Sequence, residues 1–127
     1  MQQLQKIKVL IIDDEEDFCH VIATFLKKRG HVATFTHTLQ SGLEQLEKIK
    51  PQILFLDNHL PDGRGWEHTQ RLIEHYPGMK INLISAYKDN NNVVPVDENV
   101  TVLEKPLSLS QLDQILNSFS YSSSDRS

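Results

Sequence analysis

Five short apolar runs punctuate the chain: "KVLII" at 8–12, "HVATFT" at 31–36, "QILFLD" at 52–57, "KINLIS" at 80–85 and "VTVLEK" at 100–105. Between most of them lie segments whose apolar residues recur every three or four positions. This alternation constrains the fold more than any other feature. Short, nearly continuous apolar runs suit strands buried on both faces, and amphipathic helices between them carry the chain back across a sheet. The pattern predicts five strands in an open parallel sheet covered by helices on both sides, with right-handed crossovers.

The helices have start and stop signals of their own. The first carries Phe18, Val21, Ile22, Phe25 and Leu26, with Gly30 after "KKRG" as its C-terminal cap. In the second, Thr38 is placed to cap a face of Leu39, Leu43, Leu46 and Ile49, and Pro51 prevents continuation. A third follows the turn "PDG", with Trp66, Thr69, Ile73 and Tyr76 on one face, and ends near Pro77 and Gly78. The last bears Leu109, Leu112, Ile115, Leu116 and Phe119 behind a capping box of Ser108 and Gln111. Between the fourth and fifth strands, "AYKDNNNVVPVDENV" lacks an apolar stripe and predicts only a short or irregular fourth helix. One domain over residues 1–119 is expected, with 120–127 a polar tail or the start of a linker.

Composition narrows the classes of function. A net charge of −4 offers no basic surface for nucleic-acid phosphates or anionic lipid. The single cysteine, Cys19, permits no internal disulfide, and its apolar neighbours predict a buried thiol in a reducing compartment. No apolar run approaches the length of a membrane span, so the cytoplasm is the expected location, without membrane attachment.

In such sheets the reactive groups sit beyond the carboxyl ends of the strands. The first strand ends in Asp13, Asp14 and Glu15, the third in Asp57, the fourth in Ser85 and the fifth in Lys105. Taken singly, Asp57 reads as a turn or cap residue, Ser85 as a local hydrogen-bonding hydroxyl and Lys105 as a surface charge. Together they have a different chemistry. Crowded carboxylates repel unless a cation compensates, and a hard divalent ion with oxygen ligands does so while keeping waters for a phosphate group. A carboxylate beside such an ion is a competent nucleophile toward phosphorus. Histidine and cysteine at zinc spacing are absent from this rim, and so are the glycine-rich nucleotide motifs.

The pieces "VLIIDDEED", "ILFLDNHLPDGRG", "LIS" followed by Ala86, and "LEKP", in this order, resemble the receiver domain of two-component response regulators over roughly residues 7 to 119. The resemblance implies a flavodoxin-like (βα)5 fold with strand order 2-1-3-4-5. It further implies Asp57 as phosphoacceptor and Asp13, Asp14, Asp57 and the backbone carbonyl of His59 as ligands of Mg2+, with Mn2+ as the alternative. Ser85 and Lys105 then contact the phosphoryl group, and His59 and Tyr87 tune its lifetime. The phosphoryl donor implied is a histidine kinase or a histidine phosphotransfer protein, and the output lies outside this chain. Direct nucleic-acid binding by the domain is not expected, and a homodimer is left open. The expected role is a signalling switch with only self-phosphorylation and slow self-dephosphorylation, not an enzyme in the ordinary sense.

Two departures stand out. Val102 occupies the position where many receivers place a switching aromatic residue, and the Asn-rich stretch replaces the usual fourth helix. These departures suggest that signal leaves by an order change in that stretch. They also keep a second reading in play, a receiver-like interaction module not regulated by phosphorylation. A phosphohydrolase on a similar sheet is disfavoured, because Asn58-His59 supplies no second carboxylate for turnover.

Overall fold

The computed structural model describes residues 6–86 and 94–124, with side chains described as far as residue 119. Strands β1 (Lys8–Ile12), β2 (Val32–Thr36), β3 (Ile53–Asp57), β4 (Lys80–Ser85) and β5 (Val100–Glu104) form one parallel sheet in the order 2-1-3-4-5. The helices are α1 (Glu16–Lys28), α2 (Leu39–Ile49), α3 (Thr69–His75) and α4 (Leu109–Ser124). A two-stranded hairpin, His59–Leu60 with Gly63–Arg64, and a 3-10 turn, Gly65–His68, join β3 to α3.

Strand burial follows position in the sheet. All five residues of central β3 are buried, whereas the edge strands β2 and β5 are half-exposed or exposed. Because successive side chains point to opposite faces, each strand feeds two cores. On one face Leu10, Ile12, Leu54, Leu56, Ile81 and Leu83 pack with Leu39 and Leu46 of α2, and with Trp66 and Leu72. On the other, Val9, Ile11, Ile53, Phe55 and Ile84 meet Cys19, Ile22 and Leu26 of α1 and Leu112 and Leu116 of α4. Each fully buried aliphatic side chain here contributes about 1.5–3 kcal/mol. The two cores fix the sheet from both sides, and so fix the rim formed by its strand ends.

Local signals operate as the residue types require. The N–H groups of Gly30 and His31 bond back to Lys27 and Leu26, closing α1 through the left-handed conformation that glycine tolerates. Thr38 accepts from the Ser41 N–H, and Ser108 and Gln111 cap α4 reciprocally at 3.0 and 2.8 Å.

The expected helix faces need correction at three places. Val21 and Leu109 are 59% and 54% exposed, whereas Ile22, Leu26, Leu112 and Leu116 are buried as expected, with Ala23 an unexpected member of the α1 seam. Trp66 lies in the 3-10 turn, not in the α-helix that follows it. The backbone of α4 is helical to Ser124, past residue 119. The expected fourth helix falls largely on residues 87–93, outside the described residues, and residues 94–97 carry no regular structure.

Candidate functional site

The chain leaves β1 to form β2 on one side and returns to place β3 on the other, so β1 and β3 flank the point where strand order reverses. Asp13 follows the last residue of β1, Asp57 is the last of β3 and Ser85 the last of β4, while Lys105 follows β5. The rim expected from the strand ends is therefore formed. Carboxylate oxygens of Asp13, Asp14 and Asp57 lie within 4.8 Å of one another. Asp13, Asp57 and Ser85 are buried, whereas Asp14 is exposed.

Burial together with nearby like charge makes Asp57 and Asp13 reluctant to ionise. Burial, and then the charge of Asp13, push the Asp57 carboxyl up to about 6, against the opposing effects of Lys105 and the Asn58 N–H. Asp13 is raised as well, chiefly by burial. Burial pulls the Lys105 ammonium down, but its bonds to Asp13 and Glu15 outweigh that and leave it raised. Its Nζ stands 2.6 Å from Asp13 Oδ2, is paired with Glu15 Oε1, and lies 4.5 Å from the centroid of the Phe18 ring. In this state Lys105 is thus engaged by the first-strand acids.

Backbone contacts hold each reactive residue in place. The Asp13 N–H bonds to the Thr36 carbonyl at 3.0 Å, and its carbonyl accepts from His37 Nδ1 at 2.9 Å and from the Cys19 thiol at 3.4 Å. Burial, with Asp13's charge behind it, pushes that thiol up to about 12, so Cys19 is a proton-bearing core group as the sequence predicted. Asn58 donates its N–H to Asp57 Oδ1 at 3.0 Å, and its side-chain oxygen accepts from the Trp66 N–H at 3.1 Å. Trp66 returns its indole N–H to the Leu56 carbonyl, also at 3.1 Å. Gly65 packs so closely that a Cβ there would lie 2.2 Å from the Asp57 carbonyl oxygen.

The remaining predicted residues stand as follows. His59 is exposed at the start of the hairpin, opposite Arg64, and Val102 is 51% exposed on β5 opposite Leu83. Tyr87 lies outside the described residues. Two histidines have structural roles: His37 clamps Asp13, and half-buried His31 accepts the Ile7 N–H at 3.1 Å. Sequence reasoning also missed Asp62, whose carboxylate receives the Leu39 and Gln40 N–H groups at 2.7 and 2.9 Å. The turn signal was visible there, but its reach to the start of α2 was not.

The donor set answers which cation fits. Among the described residues three carboxylates converge without imidazole or thiolate, and the raised proton affinity of Asp57 and Asp13, due first to burial and then to nearby like charge, is what a bound cation would offset. Oxygen-only ligation suits a hard divalent ion.

The response regulator receiver domain model matches residues 9–117. Among curated relatives, the transcriptional regulatory protein DpiA of Escherichia coli K12 is 32% identical over 89% of this chain and 52% of its own length. The transcriptional regulatory protein CitB of Klebsiella pneumoniae is 30% identical over 98% of this chain and 55% of its own. The chain thus spans about half the length of these relatives. Among solved structures, a CheY-like receiver domain from Methylobacillus flagellatus superposes with a TM-score of 0.76 at 24% identity, covering 91% of this chain and 99% of that one. A CheY-like receiver domain protein from Methanospirillum hungatei gives 0.77 at 22%, covering 91% and 97%. These two structures support the doubly wound fold, and the sequence match running from β1 into α4 shows the family: the chain belongs to the response regulator receiver domains.

Proposed function

We propose that this domain is a phosphorylation-dependent switch that accepts a phosphoryl group on Asp57 from a histidine kinase or a histidine phosphotransfer protein. The observation that carries the reading is the placement of Asp57, a buried carboxylate at a strand end that shares its surroundings with Asp13, Asp14 and Lys105. No structural need explains such a group, since burial and like charges both oppose its ionisation.

In the proposed step an ionised Asp57 oxygen attacks phosphorus in line, the P–N bond of the donor phosphohistidine breaks, and the imidazole leaves with a proton from solvent. Asp13, Asp14, Asp57 and the His59 carbonyl would hold Mg2+, which when bound supplies positive charge to the phosphoryl oxygens and to the carboxylates. Ser85 donates its hydroxyl proton to a phosphoryl oxygen, and Lys105 moves its charge toward another. In the metal-free domain Asp57 is chiefly the anion above about pH 6, and a bound cation favours the anion further. His59 and Tyr87 tune how long the mark persists. Output passes to a domain or protein beyond the residues described, in keeping with relatives that are transcriptional regulatory proteins.

Val102 favours a second reading, an interaction module that keeps the fold without the reaction, because an exposed valine cannot serve as an aromatic rotamer switch. Intact-mass measurement after incubation with Mg2+ and acetyl phosphate separates the two. A phosphoryl-sized gain in the wild type that is absent in D57A supports the switch; no gain in either supports the interaction module. For the switch, signal exit through the segment before β5 entails altered hydrogen exchange across residues 88–104 when a phosphoryl analogue binds.

A further inference from the structure

We infer that Glu15 is a positioning residue that holds Lys105 in the resting domain and competes with the phosphoryl group for its ammonium, thereby setting how tightly the modified state is held. The inference rests on Asp57 being the phosphoacceptor and goes beyond it, to a residue outside the reacting set.

The Lys105 ammonium is hydrogen-bonded to the Glu15 carboxylate and ion-paired with that of Asp13, beside the face of the Phe18 ring. Among the described residues the ion-pair partners of Lys105 are Asp13 and Glu15, not Asp57. Its side chain is only 9% exposed, so little water stands ready to replace a lost partner. A phosphoryl oxygen on Asp57 that draws Nζ toward itself competes with these contacts.

The two carboxylates differ in what release would entail. Asp13 is fully buried, and the cation needs it. The Glu15 side chain is 59% exposed and can pass from the ammonium to water. Glu15 also occupies the N-cap position of α1, where a side chain ordinarily accepts a backbone N–H, yet it makes no capping bond. Its carboxylate is instead committed to a residue 90 positions away. A glutamate at a cap site that does not cap, paired with the rim's Lys105, is a restraint on that lysine. Removing the restraint makes capture of the phosphoryl group easier by the strength of a partly buried ion pair.

The test measures binding of fluoroberyllate, a phosphoryl analogue, by isothermal titration calorimetry at saturating Mg2+. Five proteins are compared: wild type, E15Q, E16Q, K105Q and the E15Q/K105Q double variant. Glu16 is an exposed neighbour with the same charge, so E16Q corrects for the general loss of negative charge near the cation. E15Q is expected to bind about threefold to tenfold more tightly than both wild type and E16Q. That gain should vanish in the K105Q background, because the cycle isolates the pairwise coupling. Equal affinities for E15Q and E16Q, or a gain that survives in K105Q, would overturn the inference. If wild type binds no fluoroberyllate and gains no phosphoryl mass, the phosphoacceptor reading itself fails and the inference falls with it. Phosphorylation of wild type with no effect of E15Q sinks the inference alone.

Discussion

Asp57 carries a stability cost that pH makes visible. Its folded-state pKa of about 6 lies above the ordinary value of 3.8, so the folded state holds the proton more firmly than the unfolded chain does. The stability conferred by that proton is fully present below 3.8 and is lost as pH rises through about 6. Replacing Asp57 with Asn should therefore stabilise the metal-free protein at pH 7.5 by about 2 kcal/mol, and the gain should shrink steadily below pH 6. Urea unfolding of wild type and D57N in the presence of a chelator, across pH 4.5 to 8, checks both the sign and the window. His31 runs in the opposite direction: burial, with Arg29 nearby, lowers its pKa, so its contribution is present above 6.5 and fades as pH falls. Neither residue announces its environment in the sequence. What the sequence did disclose was that apolar runs end in acids, serine and lysine, because a strand end is a local property.

Between elements, contacts to the backbone carry much of the organisation, and these were the least legible. Thr38, Ser108 and Gln111 could be read as caps because their partners are three residues away. The bonds from His37 and Cys19 to the Asp13 carbonyl, and from the first N–H groups of α2 to the Asp62 carboxylate, join segments with no shared pattern. Val21 and Leu109 were misplaced for a related reason, since periodicity shows that a helix has an apolar side but not which small neighbour sits deepest in the seam. Cys19 and Ala23 fit closer to the sheet than a rim valine. Gly65 provides the test at this scale. The 3-10 turn approaches β3 so closely that an added methyl group meets backbone, which cannot rotate away. G65A should lower stability by about 1–3 kcal/mol and weaken the Asp57 site with it. Thermal unfolding together with the acetyl phosphate mass assay would show both losses. A fully stable, fully phosphorylated G65A protein would contradict the close approach.

At the scale of the molecule, two cores clamp one sheet and leave its acidic edge as the strained margin. A ligand that relieves repulsion there binds the folded state and not the unfolded chain, so Mg2+ should raise the melting temperature by mass action. The rise should be reversed by chelation and greatly reduced in D57N, as differential scanning calorimetry would register. The same molecule carries one tryptophan. Trp66 is 7% exposed, and its indole N–H is bonded to the carbonyl of Leu56, the residue immediately before Asp57. The protein's entire indole emission therefore originates from a ring bonded to the residue next to Asp57, which gives the domain an intrinsic optical probe that needs no label.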